Sequence, residues 1–132
     1  MKAIGALMMS LGLWACSARS GQASVDYSTL EVPVDRLASD DARARGRALF
    51  QQKCALCHGV RADGQGLRRQ GLSQAAANFQ SKDWRANTSP RDVYQVLSEG
   101  KRGTSMPAWP TLNDDEKWDV AAYVLSVSAD GP

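Results

Sequence analysis

The run Cys54-Ala55-Leu56-Cys57-His58 constrains this chain more than any other feature. Two thiols three residues apart lie on one side of a helical turn, and an imidazole follows directly. C-x-x-C-H is the attachment sequence for a c-type haem. In that chemistry both thiols meet the two vinyl groups of one porphyrin, and the adjacent histidine places a ring nitrogen on the iron. The competing readings need more than the chain offers. A zinc site would require further ligands, yet there is one histidine, and the cysteines are Cys16, Cys54 and Cys57, with no second pair. A thioredoxin-type dithiol belongs in a βαβ setting, which no segment suggests. A disulfide between Cys54 and Cys57 would leave His58 unexplained.

The lone histidine also excludes most catalytic and metal arrangements built on two imidazoles. A length of 132 residues fits one domain. Sixteen Lys and Arg against 14 Asp and Glu give a net charge of +2, too balanced for nucleic acid as the main partner. With 43% hydrophobic and 23% charged residues, a globular core is expected rather than disorder.

Residues 1–15, MKAIGALMMSLGLWA, carry one Lys followed by an uncharged and mostly apolar stretch. A membrane-spanning helix needs about 20 such residues, so the stretch fits the hydrophobic region of a secretory signal better. Leu13-Trp14-Ala15-Cys16 resembles the bacterial lipobox, which makes Cys16 the expected lipidation site and explains the odd cysteine. Cleavage after small residues such as Gly21-Gln22-Ala23 is the alternative. Residues 16–39 read as a tether or a strap lying on the domain, with Val32, Val34 and Leu37 as a weak grip. A domain over 40–128 follows, then a tail at 129–132.

Three helices are predicted in that domain. Ser39 caps the first, over Asp40–Lys53, and Asp40 and Asp41 suit the positive end of its dipole. Gly46 inside it suggests a close helix crossing, with Gly46 and Phe50 meeting the last helix near Ala121, Ala122 or Leu125. Ser89-Pro90-Arg91-Asp92 is a capping box that opens the second helix, Pro90–Glu99, and Gly100 closes it. Asn113 and Glu116 open the third, over 114–127. That helix is apolar on two sides and needs cover on both. A body this small and loop-rich buries only about 60–65% of its unfolded surface, so a large apolar ligand is expected to complete the core.

Several pieces together resemble the small monohaem class I cytochromes c of bacteria. They are Gly46-Arg47-Ala48-Leu49-Phe50 before the haem motif, Asp63-Gly64-Gln65-Gly66 after it, Asn78-Phe79, Gly103-Thr104-Ser105-Met106-Pro107-Ala108-Trp109, and the segment from Trp118 to Leu125 with Tyr123. The resemblance implies an all-α cytochrome c fold, three or more helices wrapped around one covalent haem c. It implies thioethers at Cys54 and Cys57, His58 as proximal iron ligand and Met106 as distal ligand. Composition points to the same pair, because Met1, Met8 and Met9 lie in the leader and leave Met106 as the remaining thioether. Trp84, Trp109 and Tyr94 are candidates to hydrogen-bond a haem propionate, and Leu72, Phe79, Val96 and Leu97 are candidate pocket walls.

With both axial positions filled by protein, the expected function is a single-electron carrier and not an enzyme. It is expected to be a monomer in the bacterial cell envelope, on the periplasmic side and anchored by lipid. Its expected partners are redox proteins, a membrane complex or a periplasmic oxidoreductase. The alternatives are a haem-bearing subunit of a larger oxidoreductase, a haem sensor in which Met106 is displaced, and a haem-free dithiol protein. Between Arg43 and Arg69 the basic residues Arg43, Arg45, Arg47, Lys53, Arg61, Arg68 and Arg69 face one acid, Asp63. Arg43 to Arg47 read as a solvated helix face. Arg61, Arg68 and Arg69 are placed to steer an acidic partner.

Overall fold

The computed structural model describes residues 25–128. The expected leader at 1–15, Cys16, the first part of the 16–39 segment and the tail at 129–132 lie outside the described residues. Among the described residues all regular structure is helical. The helices are α1 (Val34–Ala38), α2 (Asp40–Lys53), α3 (Ala55–His58), α4 (Lys82–Ala86), α5 (Pro90–Glu99) and α6 (Asp114–Ser126), with 3₁₀ turns at Tyr27–Thr29 and Arg69–Gly71. Among these helices none is long and apolar enough to cross a membrane. The described residues are thus all-α, the class expected from the sequence.

The caps read from sequence set the boundaries of the long helices. Ser39 Oγ accepts the Ala42 amide at 3.3 Å and starts α2. At α5 the Ser89 and Asp92 side chains each accept the other's amide, at 3.2 and 2.7 Å. Asn113 and Glu116 do the same at α6, both at 2.9 Å. α6 stops one residue short of the predicted end because Val127 is already extended (φ −63°, ψ 133°).

α6 is the central helix: every residue from Trp118 to Val124 is buried. On one side it crosses α2. A β-carbon on Gly46 would overlap the Asp119 carbonyl, so the two backbones touch there and only glycine fits. The crossing therefore centres on Asp119 and Tyr123, not on the expected Ala121, Ala122 or Leu125. Phe50 packs edge-on against Tyr123 with centroids 5.2 Å apart. On another side α5 covers α6, and Tyr94 lies on Trp118 at 4.6 Å.

The segment before α2 is more structured than its composition suggests. Val32 and Leu37 pack against the core, whereas Val34 is 67% exposed and grips nothing. Arg36 does the fastening, with Asp119 at 2.8 Å and Asp115 at 3.0 Å. Arg91 Nε–H donates to the Leu30 carbonyl at 2.7 Å, and Tyr27 rests on Tyr94. The buried Asp119 carboxylate also accepts Arg45 Nε–H at 2.7 Å. Arg45 is thus an ion-pair partner of α6, which corrects the purely solvated reading of that face. Arg43 pairs with Asp40 at 3.0 Å.

Candidate functional site

α2 runs into Cys54, whose amide donates to the Phe50 carbonyl at 2.8 Å, and the chain turns at once into α3. His58 N–H closes that single turn on the Cys54 carbonyl at 2.9 Å, so both thiols and the imidazole share one rigid unit. The loop that follows wraps back over it. Gly64 N–H donates to the His58 carbonyl at 2.8 Å, and Arg68 N–H to the Leu56 carbonyl at 3.0 Å. Gly66 lies so close that a β-carbon would overlap the Leu56 and Cys57 carbonyls. Ala62, fully buried, holds a left-handed φ of 58°, which costs about 1–2 kcal/mol. Its carbonyl accepts the Phe79 amide at 2.9 Å, which ties the strained turn to the next wall.

His58 Nδ1 lies 3.2 Å from the Ala77 carbonyl. Burial holds the imidazole below its ordinary pKa, partly offset by that hydrogen bond. A neutral ring donating from Nδ1 leaves Nε2 as a lone-pair donor, the arrangement of a metal-ligating histidine. Phe79, 4.8 Å from the imidazole, and Phe50, at 6.2 Å, fix the ring plane. Cys54 is buried, Cys57 half-buried, and no disulfide joins them. Burial pushes the Cys54 thiol up to about 11. That is the opposite of the lowered pKa a thioredoxin-type nucleophile needs.

The facing wall is the loop after α5. Lys101 N–H donates to the Met106 carbonyl at 3.0 Å, and Thr104 Oγ1 accepts the Met106 amide at 3.1 Å. Trp109 N–H returns to the Leu97 carbonyl at 2.8 Å. Ser105 Oγ accepts the Ser73 amide at 2.9 Å and joins this loop to the segment after the haem motif.

Between these walls lies a cleft of about 550 Å³, and Cys54, Cys57, His58 and Met106 all line it. The expected walls Leu72, Phe79, Val96 and Leu97 line it as well, joined by Val120 and Val124 of α6. Size and apolar lining suit a cofactor site. Trp84 and Trp109 face the cleft. Tyr94 does not: its hydroxyl donates to Asp114 at 2.6 Å, which removes it from the propionate candidates. Burial, and then this carboxylate neighbour, push its phenol up to about 12.

These residues fit a covalently held haem. Two thiols, one imidazole nitrogen and one thioether are the donor set of a c-type site. Trp109 Nε1 is buried without a protein acceptor, as expected where a cofactor supplies one. No group of three or more His, Cys, Asp or Glu able to hold a metal ion occurs among the described residues. The Ala77 carbonyl went unread in the sequence because a backbone acceptor leaves no side-chain signature. Asp119 did leave one, as the lone acid inside an apolar run.

Residues 41–124 match the family described as cytochrome c oxidase, cbb3-type, subunit III. The cbb3-type cytochrome c oxidase subunit CcoP of Rubrivivax gelatinosus is 31% identical over 113 residues, which are 84% of this chain and 34% of that protein. Cytochrome c55X of Paracoccus denitrificans is 33% identical over 100 residues, 74% of this chain and 82% of that protein. Among solved structures, a chain of the reducing HAO-like protein complex of Kuenenia stuttgartiensis superposes with a TM-score of 0.66 at 27% identity. That match covers 84% of this chain and 52% of the other. The chain thus spans about a third of the oxidase subunit and most of cytochrome c55X.

Proposed function

Because the chain belongs to the cytochrome c family of cbb3-type subunit III domains, which carry covalent haem c, we propose that it is a one-electron carrier of the cell envelope. Cys54 and Cys57 hold the haem by thioethers, His58 is its proximal iron ligand and Met106 its distal one. The observation that supports this most is that the four side chains, from two distant segments, line one apolar cleft. The haem supplies an iron that takes up and releases one electron. The protein's share is to hold it. Ala77 orients His58, and the Lys101 and Thr104 hydrogen bonds present Met106. Two protein ligands leave no open position for substrate, which favours a carrier over an enzyme.

Beside the haem motif Leu56 is 50% exposed, Val60 71% and Leu67 88%. Arg68 and Arg69, next to Leu67 in sequence, are exposed, while Arg61 is partly neutralised by Asp63 at 3.1 Å. This surface suits an acidic redox partner that covers an apolar centre. The association rate with such a partner falls as ionic strength rises; a rate indifferent to salt removes this part of the proposal. The proposed organisation is a leader at 1–15, lipidation at Cys16, a linker over 16–39 whose later part straps the domain, the haem domain over 40–128 and a tail at 129–132. A second reading, a haem subunit of a larger oxidoreductase, is favoured by the match to one third of an oxidase subunit. It predicts a stoichiometric partner on purification from membranes.

The test is the absorption spectrum of oxidised and dithionite-reduced protein, repeated under carbon monoxide, for wild type and Met106→Ala. Carbon monoxide binding by the variant alone supports a closed iron. Ready binding by the wild type overturns the carrier reading in favour of an open site.

A further inference from the structure

The loop that presents Met106 is a braced unit hung from one side. Its root is the end of α5, where Gly100 N–H donates to the Val96 carbonyl and Trp109 N–H to the Leu97 carbonyl, both at 2.8 Å. Within the loop, Lys101 N–H meets the Met106 carbonyl at 3.0 Å. Thr104 Oγ1 donates to the Lys101 carbonyl at 2.7 Å and accepts the Met106 amide at 3.1 Å. Bonds of this kind stop the loop from bending, but they do not stop it from swinging as one body about α5.

The far side is fastened by side chains. Ser105, beside Met106 in sequence, accepts the Ser73 amide on its Oγ at 2.9 Å, and the two serine hydroxyls lie 3.1 Å apart. Among the described residues these are the hydrogen bonds that bridge segments 67–80 and 100–109. From Ser73 the chain continues along the cleft through Gln74, Ala75 and Ala76 to Ala77, whose carbonyl lies 3.2 Å from His58 Nδ1. The segment that orients the imidazole therefore also holds the loop that carries the thioether.

We propose that Ser73 and Ser105 form a clasp that keeps Met106 seated, so that opening of this pair sets how fast the distal position becomes free. This rests on the axial-ligand reading above. Both serines are positioning residues, since they act through the loop. Both are exposed, so water competes for their hydrogen bonds and the fold does not depend on them. At the free end of a hinged unit, the same small net gain falls wholly on the opening step.

The experiment is imidazole binding to the ferric holoprotein by stopped flow. As imidazole rises, the observed rate levels off at the rate at which Met106 leaves. Ser105→Ala removes the acceptor and the hydroxyl pair, and it is expected to raise this plateau about 2- to 10-fold, the equilibrium factor of one net hydrogen bond. Ser73→Ala keeps the amide donor and raises it less. Ser105→Thr keeps the oxygen and holds the plateau at the wild-type value. An unchanged plateau in Ser105→Ala overturns the proposal and leaves the axial-ligand reading intact. Equal rises in Ser105→Ala and Ser105→Thr also overturn it, because the hydroxyl then plays no part. If the wild-type rate climbs with imidazole and never levels off, Met106 does not close the iron, and the ligand reading and the clasp fall together.

Discussion

The crossing of α2 and α6 and the cleft beside it are built from the same helices on opposite principles. At the crossing, protein meets protein with no space left: Gly46 touches the Asp119 backbone, and Phe50 lies edge-on to Tyr123. At the cleft, each wall is braced within itself by backbone hydrogen bonds, at Gly64 and Arg68 on one side and Lys101 and Trp109 on the other, and their apolar faces line about 550 Å³. The first region is a finished core. The second is a scaffold whose interior is completed by a cofactor. Phe50 belongs to both, and Val120 and Val124 of α6 line the cleft while packing in the core, which couples cofactor attachment to the stability of the helices.

Substitutions separate the two. Gly46→Val forces a side chain into the Asp119 carbonyl, where neither backbone can yield. We expect a loss at or above the top of the ~1–3 kcal/mol range for overpacking, read as a lowered urea midpoint of the holoprotein. An unchanged midpoint would mean that the helices do not cross at Gly46. Gly66→Val strikes the other region, against the Leu56 and Cys57 carbonyls that present the thiols. Its main expected effect is several-fold less covalent haem per chain, by absorption against protein concentration. A stability loss with full haem loading would place Gly66 in the core instead.

Asp119→Asn removes the carboxylate shared by Arg36 and Arg45. The side chains of these arginines are 27% and 55% exposed, so each retains hydration after the loss. The expected cost is therefore about 1–2 kcal/mol, below that of breaking a wholly buried pair. Haem content stays the same, because the triad belongs to the crossing. The smallest effect is at the α5 cap. Hydrogen bonds from the Ser89 side chain, and then from its amide, hold the Asp92 carboxyl below its ordinary 3.8. A depressed folded-state pKa gives stability that is fully present above the unfolded value and is lost as pH falls through the folded one. Asp92→Asn should therefore cost about 0.5–1 kcal/mol at neutral pH and less below pH 3.8, flattening the acid limb of a thermal-stability profile. An acid limb identical to wild type would show that the cap contributes nothing.

The long helices were legible because their caps are side-chain chemistry: Ser39, Ser89 with Asp92, and Asn113 with Glu116. Short α1 and α4 were not read as helices, since five residues carry no period, whereas the turn of α3 was legible through its thiol spacing. The crossing was legible as a close approach at Gly46, but its partner was misplaced, because the register between two helices depends on their packing angle, which no single helix encodes. At the cleft, Cys54, Cys57, His58 and Met106 were named by residue type. Tyr94 was misread because its hydroxyl meets Asp114, a contact across 20 positions that no local pattern reveals.

The fastening of the N-terminal segment has a mechanical consequence. A pull on the chain at Val25 meets Tyr27 against Tyr94 first, then Leu30 on Arg91, then Arg36 across Asp115 and Asp119. These fastenings lie in series along the chain, so tension is absorbed by each in turn before it reaches α2 and the thiols at its end. The segment thus works as strain relief: the domain can be tugged from its N-terminal side while the geometry of the cleft stays undisturbed.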